Sequence, residues 1–170
     1  AAHLVPFAKE IFHLYPVEEL TDRPINAVVG VIRDFWNFMQ KVDVSEPVIL
    51  IYDSSTENER GESKYTNIFV LYRDMPFLVD SILIELNNRG LNVSTIKNIV
   101  FNVLRDSDGQ LISALASEDD EGVSQEAGIF IQIDFRSSEQ YHQELKQALA
   151  VVLDDVTAVT DDYHPMLDRT

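Results

Sequence analysis

The sequence predicts an α+β domain in which an antiparallel sheet carries helices, preceded by two N-terminal helices. Three observations predict this class. Short segments in which apolar and polar residues alternate are separated by turn residues, which is typical of strands. Other segments repeat their apolar residues with the helical period. The loops between the segments are mostly short and contain hairpin signals, which favours antiparallel pairing.

Two helices are predicted before residue 45. In the first, apolar residues follow the helical period from Leu4 to Leu14, and Pro16 ends the helix. Thr21 or Asp22 can cap the second helix, which has Pro24 in its first turn. Because the second helix is apolar on more than one side, we expect it to pack on the rest of the chain, on a partner, or on both. Its apolar positions are Ile25, Val28, Val29, Val31, Ile32, Phe35, Trp36, Phe38 and Met39.

Two strands follow, separated by a polar loop. Residues 48–52 form the first strand, and the loop extends from Asp53 to Lys64. The second strand, 66–73, has apolar residues on both of its faces, which predicts a strand buried on both sides of the sheet. The N-terminal helices or a second copy of the chain are the candidates for covering the second face.

A helix over about residues 75–89 comes directly after this strand. Asp74 is placed to accept a hydrogen bond from the first amides of the helix, and Pro76 needs no donor at that position. Gly90 is predicted to end the helix, with Leu91 making the apolar contact that often accompanies a glycine C-cap.

The second half of the chain returns to strands. Residues 93–104 form a long strand, 105–109 a turn, and 111–116 a partner strand. An acidic loop, 117–122, precedes a half-buried strand at 129–135.

The last clear helix begins at Ser137 or Ser138. Beyond Asp154 the pattern fits either a short strand at 156–160 or more helix, and Pro165 ends either one. We divide the chain into an N-terminal helical extension (1–45), an α/β domain (46–160) and a linker to a following domain (161–170).

Composition limits the functions that the chain can have. Its 170 residues suffice for one domain with a sizeable core. The formal net charge of −16 argues against nucleic acid and anionic membranes as partners. No apolar run approaches the roughly 18 residues of a membrane span, and no cysteine is present for disulfides or thiolate ligands. Since the sequence does not begin with Met, we expect it to be a processed, tagged or excised segment.

The sequence contains no pattern typical of a catalytic, metal or cofactor site. The glycines form neither a dinucleotide-binding nor a phosphate-binding loop, so we expect no NAD site in this segment. The histidines are dispersed without a metal-ligand spacing. Asp80-Ser81 could form an activated nucleophile only with a base in reach, and no histidine lies nearby in the sequence. A structural role is favoured for this pair.

The stretch from Tyr72 to Ser81, which includes Asp-Met-Pro-Phe-Leu-Val-Asp-Ser, carries a resemblance to a known family. Together with Glu85–Leu91 it closely resembles a segment near the N-terminus of the very large bacterial NAD-specific glutamate dehydrogenases. The likeness extends more loosely over most of residues 50–166. In that family the N-terminal region is formed by ACT-like regulatory modules, and the dehydrogenase domain lies far downstream.

The resemblance implies an ACT-like (ferredoxin-like) fold and a non-catalytic regulatory or assembly role. The parent enzyme would convert L-glutamate, NAD and water to 2-oxoglutarate, ammonium and NADH in the cytoplasm, with NAD bound in a downstream domain. The implied partners are the downstream domains, further copies in a homo-oligomer and a small amino-acid effector. The alternatives are an amino-acid-sensing ACT module of another metabolic enzyme and a stand-alone oligomerisation scaffold.

ACT domains bind effectors beside their first strand–helix turn, and this implies a site in the present chain. The implied effector contacts are Asp74, Met75, Pro76, Phe77 and Asn92, and the implied structural residues are Asp80, Ser81 and Gly90. Two departures from the ACT pattern stand out. Phe77 occupies the position of a glycine, where we expect its side chain to fill the effector's space, which favours a scaffold. The strand at 48–52 precedes the βαββ unit, and we expect it to replace the strand that normally follows the last helix.

Overall fold

The computed structural model describes residues 8–9, 25–40, 46–53, 65–114, 116–134 and 138–167. The first predicted helix lies outside these residues except for Ala8 and Lys9, which are helical. The second predicted helix is present as α1, whereas its predicted caps lie outside the described residues. The helices are α1 (Ile25–Met39), α2 (Leu78–Asn88) and α3 (Glu139–Leu167). The strands are β1 (Val48–Asp53), β2 (Tyr65–Arg73), β3 (Val93–Arg105), β4 (Leu111–Ser113) and β5 (Ser124–Asp134).

Within the described residues, five strands form one antiparallel sheet in the order β1-β2-β5-β3-β4. The predicted α+β class with an antiparallel sheet is therefore confirmed. β5 lies at the centre, between β2 and β3. β1 pairs with β2 over its full length. It takes the edge position beside the first strand of the βαββ unit, where a ferredoxin-like sheet would place the strand that follows its last helix.

One face of the sheet is covered by α2 and α3. Side chains alternate between the two faces of a strand, so Ile68, Val70 and Tyr72 of β2 point to these helices. The helices contribute apolar residues at spacings of three and four, which place them on one side of each helix. The buried helical residues are Leu78, Ile82, Leu86, Leu145, Leu149, Leu153 and Val156. Each large apolar side chain buried in this way contributes about 1.5–3 kcal/mol.

The opposite face of the sheet is covered by α1 through a cluster of aromatic rings. Phe69 of β2 has its ring centroid 5.2 Å from that of Phe35 in α1 and 5.0 Å from that of Phe130 in β5. Gly128 of β5 makes room for this packing, because a Cβ atom there would lie 2.4 Å from the Phe35 ring. β2 is therefore buried on both faces, as predicted, and the second N-terminal helix covers the second face.

Arg105 joins α1 to the sheet at the end of the helix. Its guanidinium donates hydrogen bonds of 2.8 and 2.9 Å to the two carboxylate oxygens of Glu126 in β5. The two side chains are only 8% and 1% exposed. Arg105 also donates to the carbonyl oxygens of Met39, at 2.8 Å, and of Gly109, at 3.0 Å. One side chain thus connects the C-terminus of α1, the β3–β4 turn and the central strand.

A second connection to α1 comes from Tyr52 of β1. Its hydroxyl donates a hydrogen bond of 2.8 Å to a carboxylate oxygen of Asp34. Burial and this bond raise the pKa of Tyr52, while a hydrogen bond with Asn67 acts in the opposite direction. The Tyr52 ring also stacks on Phe69, with centroids 5.7 Å apart. The sheet edge and the helix are therefore held together by both polar and apolar contacts.

The C-terminus of α2 has the predicted glycine cap. Gly90 has a φ of 71°, in the left-handed region, and its amide donates to the Asn87 carbonyl at 3.0 Å. The amide of Leu91 donates to the Leu86 carbonyl at 3.1 Å, and the Leu91 side chain is buried in the core. These two bonds and the apolar contact form a Schellman motif, in which left-handed backbone turns the chain into β3.

The last helix is longer than the sequence analysis expected. Residues 156–160 are helical, and α3 continues through Pro165 to Leu167. The expectation that Pro165 ends this segment is therefore wrong, while 168–170 lie outside the described residues. No glycine or proline interrupts the chain between Ser138 and Pro165, so nothing local ends the helix earlier. The division into domains remains a prediction.

Candidate functional site

The turn between β2 and α2 carries most of the residues that the resemblance marks. Asp74 follows β2 and continues its pairing with β5, because the Asp74 amide donates a hydrogen bond of 3.0 Å to the Gln125 carbonyl. Pro76 and Phe77 form the turn, and α2 begins at Leu78. Phe77 is the N-cap residue, and no side chain caps the helix. The prediction that Asp74 caps the helix is wrong, because the helix begins later than expected and leaves Asp74 ahead of the cap position.

Phe77 has the backbone conformation that glycine prefers. Its φ of 72° and ψ of 3° lie in the left-handed region, which costs a residue with a Cβ atom about 1–3 kcal/mol. The side chain is 58% exposed, so deep burial does not offset this strain. A cavity of about 160 Å³ lies beside the ring. The phenyl group therefore forms a wall of the cavity, where the sequence analysis expected it to fill the space.

This small cavity is lined by residues of the turn and of neighbouring elements, among them two carboxylates and an amide. Asp74 and Met75 come from the turn, Asp80 from α2 and Asn98 from β3. Neither carboxylate forms an ion pair with another described residue. Two carboxylates and an amide suit an ammonium group, such as that of an amino acid. Pro76 belongs to the same turn but does not line the cavity.

Asn92, the remaining effector candidate, lies at the other end of the sheet. Its side-chain amide donates a hydrogen bond of 3.0 Å to the carboxylate of Asp134, which is paired with Tyr65 at the start of β2. The turn follows the end of the same nine-residue strand, roughly 30 Å away at about 3.4 Å per residue. The structure therefore does not bring Asn92 to the turn. Asn98, which the sequence analysis did not mark, reaches the cavity instead.

The three residues to which the resemblance assigns a structural role, Asp80, Ser81 and Gly90, lie in different surroundings. Gly90 directly follows the C-cap residue Arg89 and has the left-handed backbone described above. Asp80 is exposed in the first turn of α2, where its negative charge is favourable to the helix dipole. Ser81 is half-buried. Asp80 and Ser81 both line a second, larger depression.

This second depression, called here the α2–α3 groove, has a volume of about 490 Å³. Its apolar lining includes Phe77, Ile84 and Val159, which are 58%, 61% and 60% exposed. Val152 and Val156 lie deeper between the helices. No motif in the sequence predicts this groove. The only signal is that the apolar positions of α3 extend beyond one stripe of the helix, at Val151, Val152, Val156 and Val159.

Carboxylates surround the apolar lining of the α2–α3 groove. Asp80 and Asp155 form no ion pair with another described residue. Glu85 pairs with Arg89, with 2.9 Å between the guanidinium and a carboxylate oxygen. The groove therefore combines an apolar interior with an acidic rim.

The β2–α2 turn is joined to α3 beside the groove. The hydroxyl oxygens of Tyr72 and Thr157 lie 3.0 Å apart, and the Thr157 hydroxyl is also within hydrogen-bond reach of the Leu153 carbonyl, at 2.9 Å. The Met75 sulfur lies 3.9 Å from the same hydroxyl. These contacts connect β2 and the turn to α3 beside the groove.

The described residues were also compared with the requirements of a metal site and of a membrane span. Within them, no three His, Asp or Glu side chains are grouped so that they could hold a metal ion. Likewise, none of the helices in this part of the chain combines the length and the apolar character required to cross a membrane.

Comparison with known proteins gives a consistent set of matches. A family model described as glutamate dehydrogenase, ACT1 domain, matches residues 7–149. The NAD-specific glutamate dehydrogenase of Halomonas elongata is 34% identical over 167 residues, which are 98% of this chain and 10% of the relative. The enzyme of the same name from Pseudomonas aeruginosa is 32% identical over 161 residues, 94% of this chain and 10% of the relative. The chain thus spans about a tenth of the length of these relatives. No solved structure matches it significantly.

Proposed function

The chain belongs to the family of glutamate dehydrogenase ACT1 domains, and we propose that it is a non-catalytic assembly domain of an NAD-specific glutamate dehydrogenase. Its parent protein would oxidise L-glutamate to 2-oxoglutarate and ammonium, with NAD bound by a part outside this chain. The names of the two relatives support this proposal, as does the small share of their length that the chain matches. A cytoplasmic, homo-oligomeric parent enzyme is part of the same proposal.

The observation that carries the assembly role is the exposed apolar surface beside the β2–α2 turn. Phe77, Ile84 and Val159 are each more than half exposed and line one groove. Contiguous apolar surface of this kind marks interaction sites in soluble proteins, whereas single exposed apolar residues do not. An aromatic side chain such as Phe77 is also the residue type that interface cores favour.

A pair of matched variants in the full-length parent protein tests the assembly role. We expect Ile84→Asp to lower the mass of the assembled parent protein measured by light scattering, or the melting temperature of that protein, because the variant places a charge in the apolar groove. Ile112→Asp is the control, since Ile112 is 51% exposed on β4 and does not line the groove. Identical behaviour of both variants and the wild type would contradict the assembly role. Absence of glutamate-dependent NADH formation by the wild type would contradict the parent enzyme.

A second function, amino-acid sensing, is favoured by the small cavity at the turn. Its carboxylates, Asp74 and Asp80, suit the ammonium group of an amino acid, and the Asn98 amide can bond to a second polar group. Calorimetry with glutamate, aspartate and other amino acids tests this function. We expect Asp74→Asn to weaken any binding, and Asn92→Ala, at the far end of the sheet, to leave it unchanged. If the wild type gives neither heat nor a shift in melting temperature, sensing at this cavity is ruled out.

A further inference from the structure

We propose that the α2–α3 groove binds a basic amphipathic helix from the part of the parent polypeptide outside this chain. This deepens the proposed function, on which it rests for the source of the partner. The relatives are about ten times longer than their match to this chain, so most of the parent polypeptide lies outside it. The groove itself determines the chemistry of the partner.

The length of the groove suits a bound helix. On the α2 side, the lining residues extend from the N-cap residue Phe77 to Glu85, about 12 Å along the helix axis at about 1.5 Å per residue. This length corresponds to about two turns of a bound helix, which would present apolar residues at positions i, i+3 or i+4, and i+7. Exposed Ile84 and Val159 would contact that apolar stripe, and Phe77 would close one end of it.

The charges around the groove indicate which residues should lie on either side of the apolar stripe of the bound helix. Asp80 and Asp155 have no ion-pair partner among the described residues, and no lysine or arginine lines the groove. Glu85 is partly neutralised by Arg89, at 2.9 Å. Lysine or arginine residues on both sides of the apolar stripe would complement Asp80 on α2 and Asp155 on α3.

A second copy of the same groove is a poor occupant. In a two-fold interface the same surface meets itself, so the carboxylates of Asp80 and Asp155 would face those of the other copy. Each chain also carries a formal net charge of −16. Like charges brought together in this way oppose association, whereas a basic helix relieves them.

Photocrosslinking in the full-length parent protein identifies the occupant. Replacing Ile84 by benzoylphenylalanine places the reactive group in the groove, and replacing Gln143, exposed on α3 away from the groove, provides the control. We expect position 84 to crosslink to one segment with apolar residues at helical spacing flanked by lysine or arginine. Capture of the groove of a second copy, capture of an acidic or neutral segment, or no capture above the level of position 143 would overturn the proposal.

A charge reversal tests the acidic rim. We expect Asp155→Lys to lower the crosslinking yield at position 84 by about fivefold, because an attraction is replaced by a repulsion of similar size. Asp154→Lys makes the same change at the neighbouring exposed residue, which does not line the groove, and should leave the yield unchanged. Equal yields from the two variants would overturn the charge argument. NADH formation by the wild-type protein tests the parent enzyme separately, so the two failures can be distinguished.

Discussion

Replacing only one member of the Arg105–Glu126 pair should destabilise the chain more than replacing both. The pair is almost completely buried, with exposed fractions of 8% and 1%. Arg105→Met leaves the Glu126 carboxylate without its partner, and Glu126→Leu leaves the guanidinium without its carboxylate. In the double variant, apolar side chains of similar size replace the two charges.

The contacts give the expected magnitudes. Loss of one partner of a buried pair costs about 3–5 kcal/mol, since an uncompensated charge remains in the core. In the double variant the main loss is the pair of hydrogen bonds from Arg105 to the Met39 and Gly109 carbonyls, about 1 kcal/mol each. For a chain of this size 1 kcal/mol corresponds to about 2–4 °C, so each single variant should melt about 6–20 °C below the wild type. The double variant should melt only about 4–8 °C below it.

Thermal unfolding followed by circular dichroism measures these differences. The Arg89–Glu85 pair is the control, because its side chains are much more exposed, at 34% and 25%. Glu85→Gln should lower the free energy of unfolding by less than about 1 kcal/mol. The reasoning is refuted if both single variants melt within about 2 °C of the wild type, or if the double variant is less stable than either single one.

Three further predictions concern packing, ionisation and backbone strain. Gly128→Ala should lower the free energy of unfolding, measured by chemical denaturation, by about 1–3 kcal/mol, because the new methyl group would lie 2.4 Å from an aromatic ring. Gly30→Ala is the control and should not lower it, because a Cβ atom at this position of α1 has open space around it. Tyr52 should ionise well above the ordinary tyrosine pKa of about 10 in an ultraviolet titration, because burial and Asp34 raise its pKa. Its contribution to stability should be present below the unfolded-state pKa of about 10 and be lost above it, and Tyr52→Phe should remove this pH dependence. Phe77→Gly should be more stable than Phe77→Ala by about 1 kcal/mol in thermal unfolding, since only glycine adopts a φ of 72° without strain; equal stability would contradict the strained turn.

Much of the fold could be predicted because the relevant signals are local. Alternation along residues 66–73 indicated a strand buried on both faces, and the helical period of 25–39 indicated a helix that needs cover on more than one side. The burial of β2 on both faces and the packing of α1 on the sheet are confirmed, whereas cover on a second side of α1 remains a prediction. Gly90 and Leu91 likewise predicted the end of α2, because a glycine cap depends on a few neighbouring residues.

The candidate site was predicted less completely, since its residues come from separate elements. Asp74, Met75 and Phe77 are neighbours in the sequence and remain together at the cavity. Asn92 is separated from them by the length of the sheet, and Asn98 reaches the cavity because β3 crosses the sheet beside β5. Spacing in the sequence does not contain this information.

The sequence by itself determined the α+β class, nearly all of the described elements and the family. These depend on periodicity, turn residues and a continuous motif, each of which acts over a few neighbouring residues. Only the tertiary structure decided that β1 forms the sheet edge, that Arg105 and Glu126 join α1 to the centre, and that Phe77 remains exposed in a glycine conformation. The physical reason is that strand pairing and helix packing bring together residues that are far apart in the chain, and their contacts follow from the geometry of the whole sheet.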